Sequence, residues 1–105
     1  MITKMSGNKL YSIHYTNTVV KEDIPALPKT IRIRIRKAIE TRLTIAPELY
    51  GKPLQHDLFG GRRLRVGDYR VLYVVDPKKH SVLIEAIGHR SIIYELHTIK
   101  RLHDR

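Results

Sequence analysis

The chain has 105 residues, with 20 Lys and Arg against 10 Asp and Glu and a formal net charge of +10. That length holds one domain with a real core and is too short for two, while the charge favours an anionic partner: nucleic acid, an acidic protein or an anionic membrane surface. Cysteine is absent, which excludes disulfides, thiolate metal sites and cysteine nucleophiles.

Histidine offers little for a metal. His14, His56, His80, His89, His97 and His103 include no pair at the i, i+4 spacing of helical zinc motifs, so packed or solvated imidazoles are expected, and neither metal nor cofactor. The opening MITKMSGNK is polar, Met5 offers a second start, and the longest apolar run is Val71 to Val75. Neither a signal peptide nor a membrane span is expected, and a soluble cytoplasmic protein is.

Met1 to Lys9 read as a loose tail. The run LYSIHYT from Leu10 alternates Tyr11, Ile13 and Tyr15 with Ser12, His14 and Thr16, the period of a half-buried first strand. Asn17 or Thr18 caps a short helix through about Leu27, which Pro25 should kink or end. Pro28 suits the first turn of a second helix. Its opening, with Ile31, Ile33 and Ile35, alternates like a strand, but over the full length a helical face collects Ile31, Ile35, Ala38, Ile39, Leu43, Ile45 and Ala46. Ile33 lies opposite and Arg32 and Arg42 intrude, Arg42 without an evident partner. The Ala46-Pro47 bond ends the helix.

A breaker-rich loop, PELYGKPLQHDLFGG, leads to three extended stretches, Arg62 to Val66, Tyr69 to Asp76 and Ser81 to Gly88. A turn at Gly67-Asp68 and a longer one at DPKKH join them. Ser91 to about Leu102 is helical, with Ile92, Leu96 and Ile99 at spacings of four and three. The order β-α-α-β-β-β-α implies an α+β domain with a mainly antiparallel sheet and the N-terminal helices on one face.

The hairpin raises a physical question, because RRLRVGDYR places four arginines in nine positions. With Gly67 and Asp68 at its tip, Val66 opposes Tyr69, Arg65 opposes Arg70 and Leu64 opposes Val71. One face is then Leu64, Val66, Tyr69, Val71 and Tyr73, and the other gathers Arg63, Arg65 and Arg70. Like charges directly across a strand pair are destabilising by about 0.2–1 kcal/mol, and no acidic residue occupies a neighbouring cross-strand position. A merely solvated basic face is the plainer reading. Convergence of three guanidiniums on one patch favours a phosphodiester guest, since arginine forks bind phosphate bidentately and stay charged. IGHR closes the next strand with His89 and Arg90, and Tyr94 follows in the first turn of the last helix. Taken singly, His89 reads as structural and Tyr94 as packed; their place beside the arginine strands gives them a candidate role.

The strings GKPLQHDLFGGRRLRVGDYRVLYVVD and VLIEAIGHRSIIYE resemble the RelE/ParE superfamily of bacterial and archaeal toxins, particularly its RelE-like mRNA interferase branch. The resemblance runs from about Leu10 to the end, with an LP…I…IE…L pattern on the helical side agreeing. It implies a microbial-ribonuclease-like fold, a cognate antitoxin, and metal-independent cutting of mRNA in the ribosomal A site by attack of a ribose 2′-hydroxyl on the next phosphate. Carried over, the basic pair of the first hairpin strand corresponds to Arg63 and Arg65, the arginine of the second strand to Arg70, the arginine after IGH to Arg90 and the C-terminal tyrosine to Tyr94. Arg62 joins the expected RNA contacts. The best-studied members carry lysines in place of Arg63 and Arg65, and their tyrosine lies further from the arginine.

The expected roles follow from this correspondence. Arg63, Arg65 and Arg70 hold the phosphate and its developing charge, and Tyr94 orients a base or takes the 2′-proton. Arg90 or His89 assists the leaving 5′-oxygen. A guanidinium is a poor proton acceptor, so the base is left to His89, Tyr94 or positioning by the ribosome. Competing expectations are a ParE-like gyrase poison acting by protein contact, a degenerate toxin that keeps only its antitoxin, and, last, a membrane role for the basic helix.

Overall fold

The computed structural model describes residues 9–55, 57 and 59–103; the expected N-terminal tail lies outside them except for Lys9. A five-stranded sheet runs in the order β1-β5-β4-β3-β2. Its strands are β1 (Ser12–Tyr15), β2 (Lys52–Pro53), β3 (Arg62–Val66), β4 (Tyr69–Asp76) and β5 (Ser81–His89). β1 is parallel to β5, and the other neighbours are antiparallel. The three expected C-terminal strands are therefore present, whereas β2 is a two-residue strand that no alternation announces.

The expected hairpin register is the observed one: Val66 pairs Tyr69, Arg65 pairs Arg70 and Leu64 pairs Val71. Gly67 makes the turn possible with φ of 60°, a left-handed value that costs glycine little. Leu64, Val66, Val71 and Tyr73 enter the main core beside Val82, Ile84 and Ile87 of β5.

α1 covers 17–26. Its cap is Thr16, whose Oγ1 accepts the Val19 N–H at 3.3 Å, rather than Asn17 or Thr18. The turn Val19–Asp23 is wound wide, closing with Ile24 N–H on Val19 O just before Pro25, which has no N–H with which to continue the ladder. Leu27 is extended, as a residue before proline prefers. α2 runs Lys29–Ala38 and continues through a second wide turn, Ile39–Leu43.

Ile35, Ala38, Ile39 and Leu43 are buried as their spacing predicts. The expected face is too long by its end, since Ile45 is 61% exposed and Ala46 has left helical geometry with φ of −146°. Arg32, the first of the two intruders, folds back to donate from Nη2 to Leu27 O at 3.2 Å and to Pro25 O at 3.5 Å, so it caps the carbonyl end of α1. α3 (Pro47–Tyr50) follows. Here Tyr73, fully buried, donates its hydroxyl to Pro47 O at 2.5 Å. Burial pushes its phenol pKa up, which keeps it a donor. Gly51 lies so close that an added Cβ would meet the Tyr73 hydroxyl at 1.7 Å, so a side chain there would expel the ring.

α4 (Ile93–His103) lies on the opposite face. Between Leu72 and Tyr73 the β4-β5 register slips, pairing Ala86 and Ile84 and leaving Glu85 as the extra residue of a bulge. Glu85 then meets His97 and Arg101 of α4, while Leu72, Ala86 and Ile93 form a second, small core. The expected apolar face of this helix is not the buried one. Ile92 and Ile99 are 56% and 43% exposed, whereas Ile93, His97 and Lys100 are buried. The side of α4 that packs is held largely by ion pairs: Lys100 with Asp23, and Arg101 with both Asp57 and Glu85. Asp23 also accepts the Ile87 N–H at 2.9 Å, closing the stretch of β5 beyond the end of β1.

Candidate nucleic-acid interface

Strand alternation places Arg63, Arg65 and Arg70 on the face opposite Leu64 and Val66, with Arg65 and Arg70 directly paired. Gly88 is the partner of Arg70 on its other side, so no side chain crowds the guanidinium from β5. Lys52 pairs Arg63 from β2 and adds a fourth cation to the face. Only the register of a two-residue strand brings Lys52 there, and so short a strand leaves no periodic signal in the sequence. Among the described residues no carboxylate pairs with Arg63, Arg65, Arg70 or Lys52. Arg70 is positioned from within the hairpin: Nη1 donates to Gly67 O and Tyr69 O, both at 2.9 Å. That leaves its remaining N–H groups for a guest.

Arg90 reaches the hairpin tip. Its backbone N–H bonds Asp68 O at 2.8 Å, and its Nε lies 3.7 Å from Asp68 Oδ1, with the two side chains 63% and 71% exposed. Such a long, solvated pair holds its partners weakly and leaves Arg90 free to exchange Asp68 for a phosphate. Tyr94, in the first turn of α4, lines an open groove of about 640 Å³ together with Arg63, Gln55, Phe59 and Thr98. Tyr94 and Arg63 thus share one concave surface.

Two of the expected residues lie elsewhere. Arg62 turns to the core side, where Nη2 donates to Glu48 O and Gly51 O, both at 2.7 Å; it pins α3 and the start of β2. His89 pairs Tyr69 and packs edge-on against its ring at 5.4 Å between centroids, so it shares the Tyr69 face and not that of the arginines. Its Nδ1 accepts the Ser91 N–H at 3.2 Å and contacts Ser91 Oγ at 2.8 Å. That nitrogen is occupied, and the ring proton of the neutral form resides on Nε2.

Behind the groove lies a polar network that sequence spacing does not reveal. His97 Nε2 bonds Glu85 Oε1 at 2.9 Å, Arg101 Nη2 bonds the same oxygen at 2.5 Å, and Arg101 Nη1 bonds Asp57. Burial pulls the Glu85 pKa upward, but the His97 and Arg101 hydrogen bonds overcome it and leave it below the usual range. Burial and the Arg101 hydrogen bond compete likewise at Asp57, again with a net lowering. Arg101 is depressed by burial yet raised overall by Glu85 and Asp57, and it stacks on Phe59 at 4.5 Å. Glu85, Asp57 and Arg101 are therefore ionised at neutral pH. No group of three or more His, Asp or Glu among the described residues is arranged to share a metal ion, and no described helix is long and apolar enough to cross a membrane.

The chain as a whole is similar to known toxins. A family model described as the ParE toxin of the type II toxin-antitoxin system parDE matches residues 13–94. Toxin RelE of Mycobacterium tuberculosis is 36% identical over 92 residues, covering 88% of this chain and 94% of that protein. Toxin RelG of the same organism is 33% identical over 84 residues, covering 80% and 95%. Among solved structures, the toxin-antitoxin complex RelBE2 from Mycobacterium tuberculosis matches with a TM-score of 0.70 and 31% identity over 76% of this chain and 91% of the matched one. With a family match spanning most of its length and relatives above 30% identity along nearly their whole chains, this protein belongs to the RelE/ParE superfamily, as a RelE-family toxin of the type II toxin-antitoxin class.

Proposed function

We propose that the chain is an endoribonuclease that cuts mRNA in the ribosomal A site without a metal, and that a cognate antitoxin silences it. The observation that carries this reading is the shared face of Arg63, Arg65 and Arg70, which no described carboxylate neutralises. Uncompensated guanidiniums held on a rigid ladder suit a phosphate whose charge grows during reaction. In the reaction the ribose 2′-oxygen attacks phosphorus and the bond to the 5′-oxygen breaks, giving a cyclic phosphate and, once the departing oxygen takes a proton from water, a free 5′-hydroxyl. Arg63, Arg65 and Arg70 bind the non-bridging oxygens. Tyr94, which shares a groove with Arg63 while Asp57 and His97 of that groove are engaged with Arg101 and Glu85, removes the 2′-proton, and Arg90 stabilises the leaving oxygen. His89 takes no part in this scheme, because its ring lies on the Tyr69 face. The antitoxin enters by likeness to the RelBE2 complex, a toxin-antitoxin assembly.

The test is Arg70→Ala. Primer extension on translated mRNA should show cutting by the wild-type chain and none by the variant, with folding and antitoxin binding retained; full cleavage by the variant removes the assignment. A second reading is favoured by one specific observation, the match to a ParE family model: a gyrase poison acting by protein contact. Prompt translation arrest on expression supports the nuclease, and DNA-damage filaments with continuing translation support the poison.

A further inference from the structure

α2 carries a basic stripe that the reaction scheme above does not use. Arg34, Lys37, Thr41 and Arg42 recur at intervals of three, four and one, which puts them along one flank of the helix beside its buried face. That flank meets β3 across a groove of about 350 Å³, whose opposite wall is Arg65 and Gly67. The Arg34 guanidinium stands against the hairpin turn, 3.4 Å from where a Cβ on Gly67 would lie. Arg42, the second intruder on the apolar face, belongs to this wall. All four charged residues of the groove are cations, and none has a carboxylate partner among the described residues. Of the nearby acids, Glu40 lies close enough to Tyr15 to help raise its pKa, and Asp68 faces Arg90.

On a convex helix surface basic side chains diverge into water and their repulsion is screened. Here they converge from two elements on one concavity, where an anion is the natural complement. Three of the four are guanidiniums, suited to the paired oxygens of a phosphate. Arg65 belongs both to this groove and to the arginine face. The edge of β3 is unpaired at that point, because β2 reaches only Arg62 and Arg63. A polyanion with evenly spaced charges can therefore cross the β3 edge from one surface to the other.

We propose that the α2-β3 groove is a second RNA-backbone site, binding phosphodiesters that are not cut, continuous through Arg65 with the reaction face. The proposal rests on the RNA reading of that face. An acidic protein segment is the alternative occupant, disfavoured by the fork geometry and by the continuity with the reaction face.

The test uses the purified full chain and the triple variant Arg34→Gln, Lys37→Gln, Arg42→Gln, with circular dichroism to verify folding. Binding is followed by fluorescence anisotropy against a labelled single strand whose 2′-positions are methylated, so that no cutting is needed, and against an RNA hairpin stem. Loss of three phosphate contacts should weaken binding at least tenfold at moderate salt and flatten the log-log salt slope by about 2 for the strand and about 3 for the stem, at roughly 0.7 per phosphate for a strand and 0.9 for a duplex. A loss confined to the single strand assigns the groove to flanking sequence of the cut RNA; a loss confined to the stem assigns it to a structured RNA. Wild-type binding with an unchanged affinity and slope in the variant overturns the groove alone, whereas failure of the wild-type chain to bind either RNA overturns the groove and the RNA reading together. Retained RNA binding with lost affinity for the antitoxin also overturns it, in favour of an acidic protein partner.

Discussion

Arg65 faces Arg70 directly across the β3-β4 ladder, and Arg70 adapts by turning Nη1 into the carbonyls of its own hairpin, Gly67 and Tyr69. The turn that creates the juxtaposition thus also holds it, and neither charge is cancelled. A fold selected for stability alone has no reason to keep this pair, whereas a site awaiting an anion does.

Arg65→Thr should expose that conflict. Removing one of two opposed like charges and installing a good strand former is expected to raise stability by about 0.2–1 kcal/mol. Cutting should fall by roughly 100-fold, as when a transition-state donor is lost. Thermal melts and primer extension together check it; a variant both less stable and fully active contradicts the role assigned to the pair.

Arg62→Ala should act on the fold. Two backbone carbonyls, of Glu48 and Gly51, lose a charged donor, a loss of about 1–3 kcal/mol. The fall should appear in the urea midpoint, and the lost anchor should speed hydrogen exchange over 47–53.

Asp23 and Lys100 form a buried pair linking α1 to α4. Asp23→Asn strands a buried ammonium, and about 3–5 kcal/mol of destabilisation is expected. The double variant Asp23→Asn, Lys100→Met should recover much of it, because the uncompensated charge is gone. Chemical denaturation of the two variants provides the comparison; an equally unstable double variant would place the cost in the Ile87 hydrogen bond instead.

The attachment of α4 should weaken in acid. Glu85 and Asp57 have folded pKa values below their ordinary 4.5 and 3.8, so the unfolded chain binds more protons in this range and stability rises with pH. Their contribution is complete above the ordinary carboxylate range and disappears as pH falls through the lowered folded values. Urea midpoints between neutral pH and about pH 3 should show that slope, and Glu85→Gln should flatten it.

How much of this was legible follows from where each signal resides. The hairpin register was readable because period-two alternation and the Gly67-Asp68 turn are both local, and so were the buried Ile35, Ile39 and Leu43 of α2. α4 was misread because its packed side is set by partners distant in the chain: Asp23 for Lys100, Asp57 and Glu85 for Arg101. Spacing of Ile92, Leu96 and Ile99 has the right period but does not tell which side docks. The same holds for the site. Arg63, Arg65 and Arg70 were gathered by alternation alone, while Lys52 depended on a strand too short to show a pattern. Arg62 and His89 were separated from the arginine face by that same alternation, which single-residue proximity in sequence had obscured.

Tyr94→Phe addresses the chemistry of the site most directly. The phenylalanine keeps the ring in the groove beside Arg63 and Thr98 and removes only the hydroxyl. If that hydroxyl takes the 2′-proton, kcat should drop by about 100- to 10,000-fold while KM stays near the wild-type value, and Tyr94→Ala should raise KM as well through lost stacking. Equal activity of Phe and Tyr at this position would assign the ring to stacking alone and leave proton removal to water ordered by the ribosome, with the guanidiniums supplying only charge stabilisation.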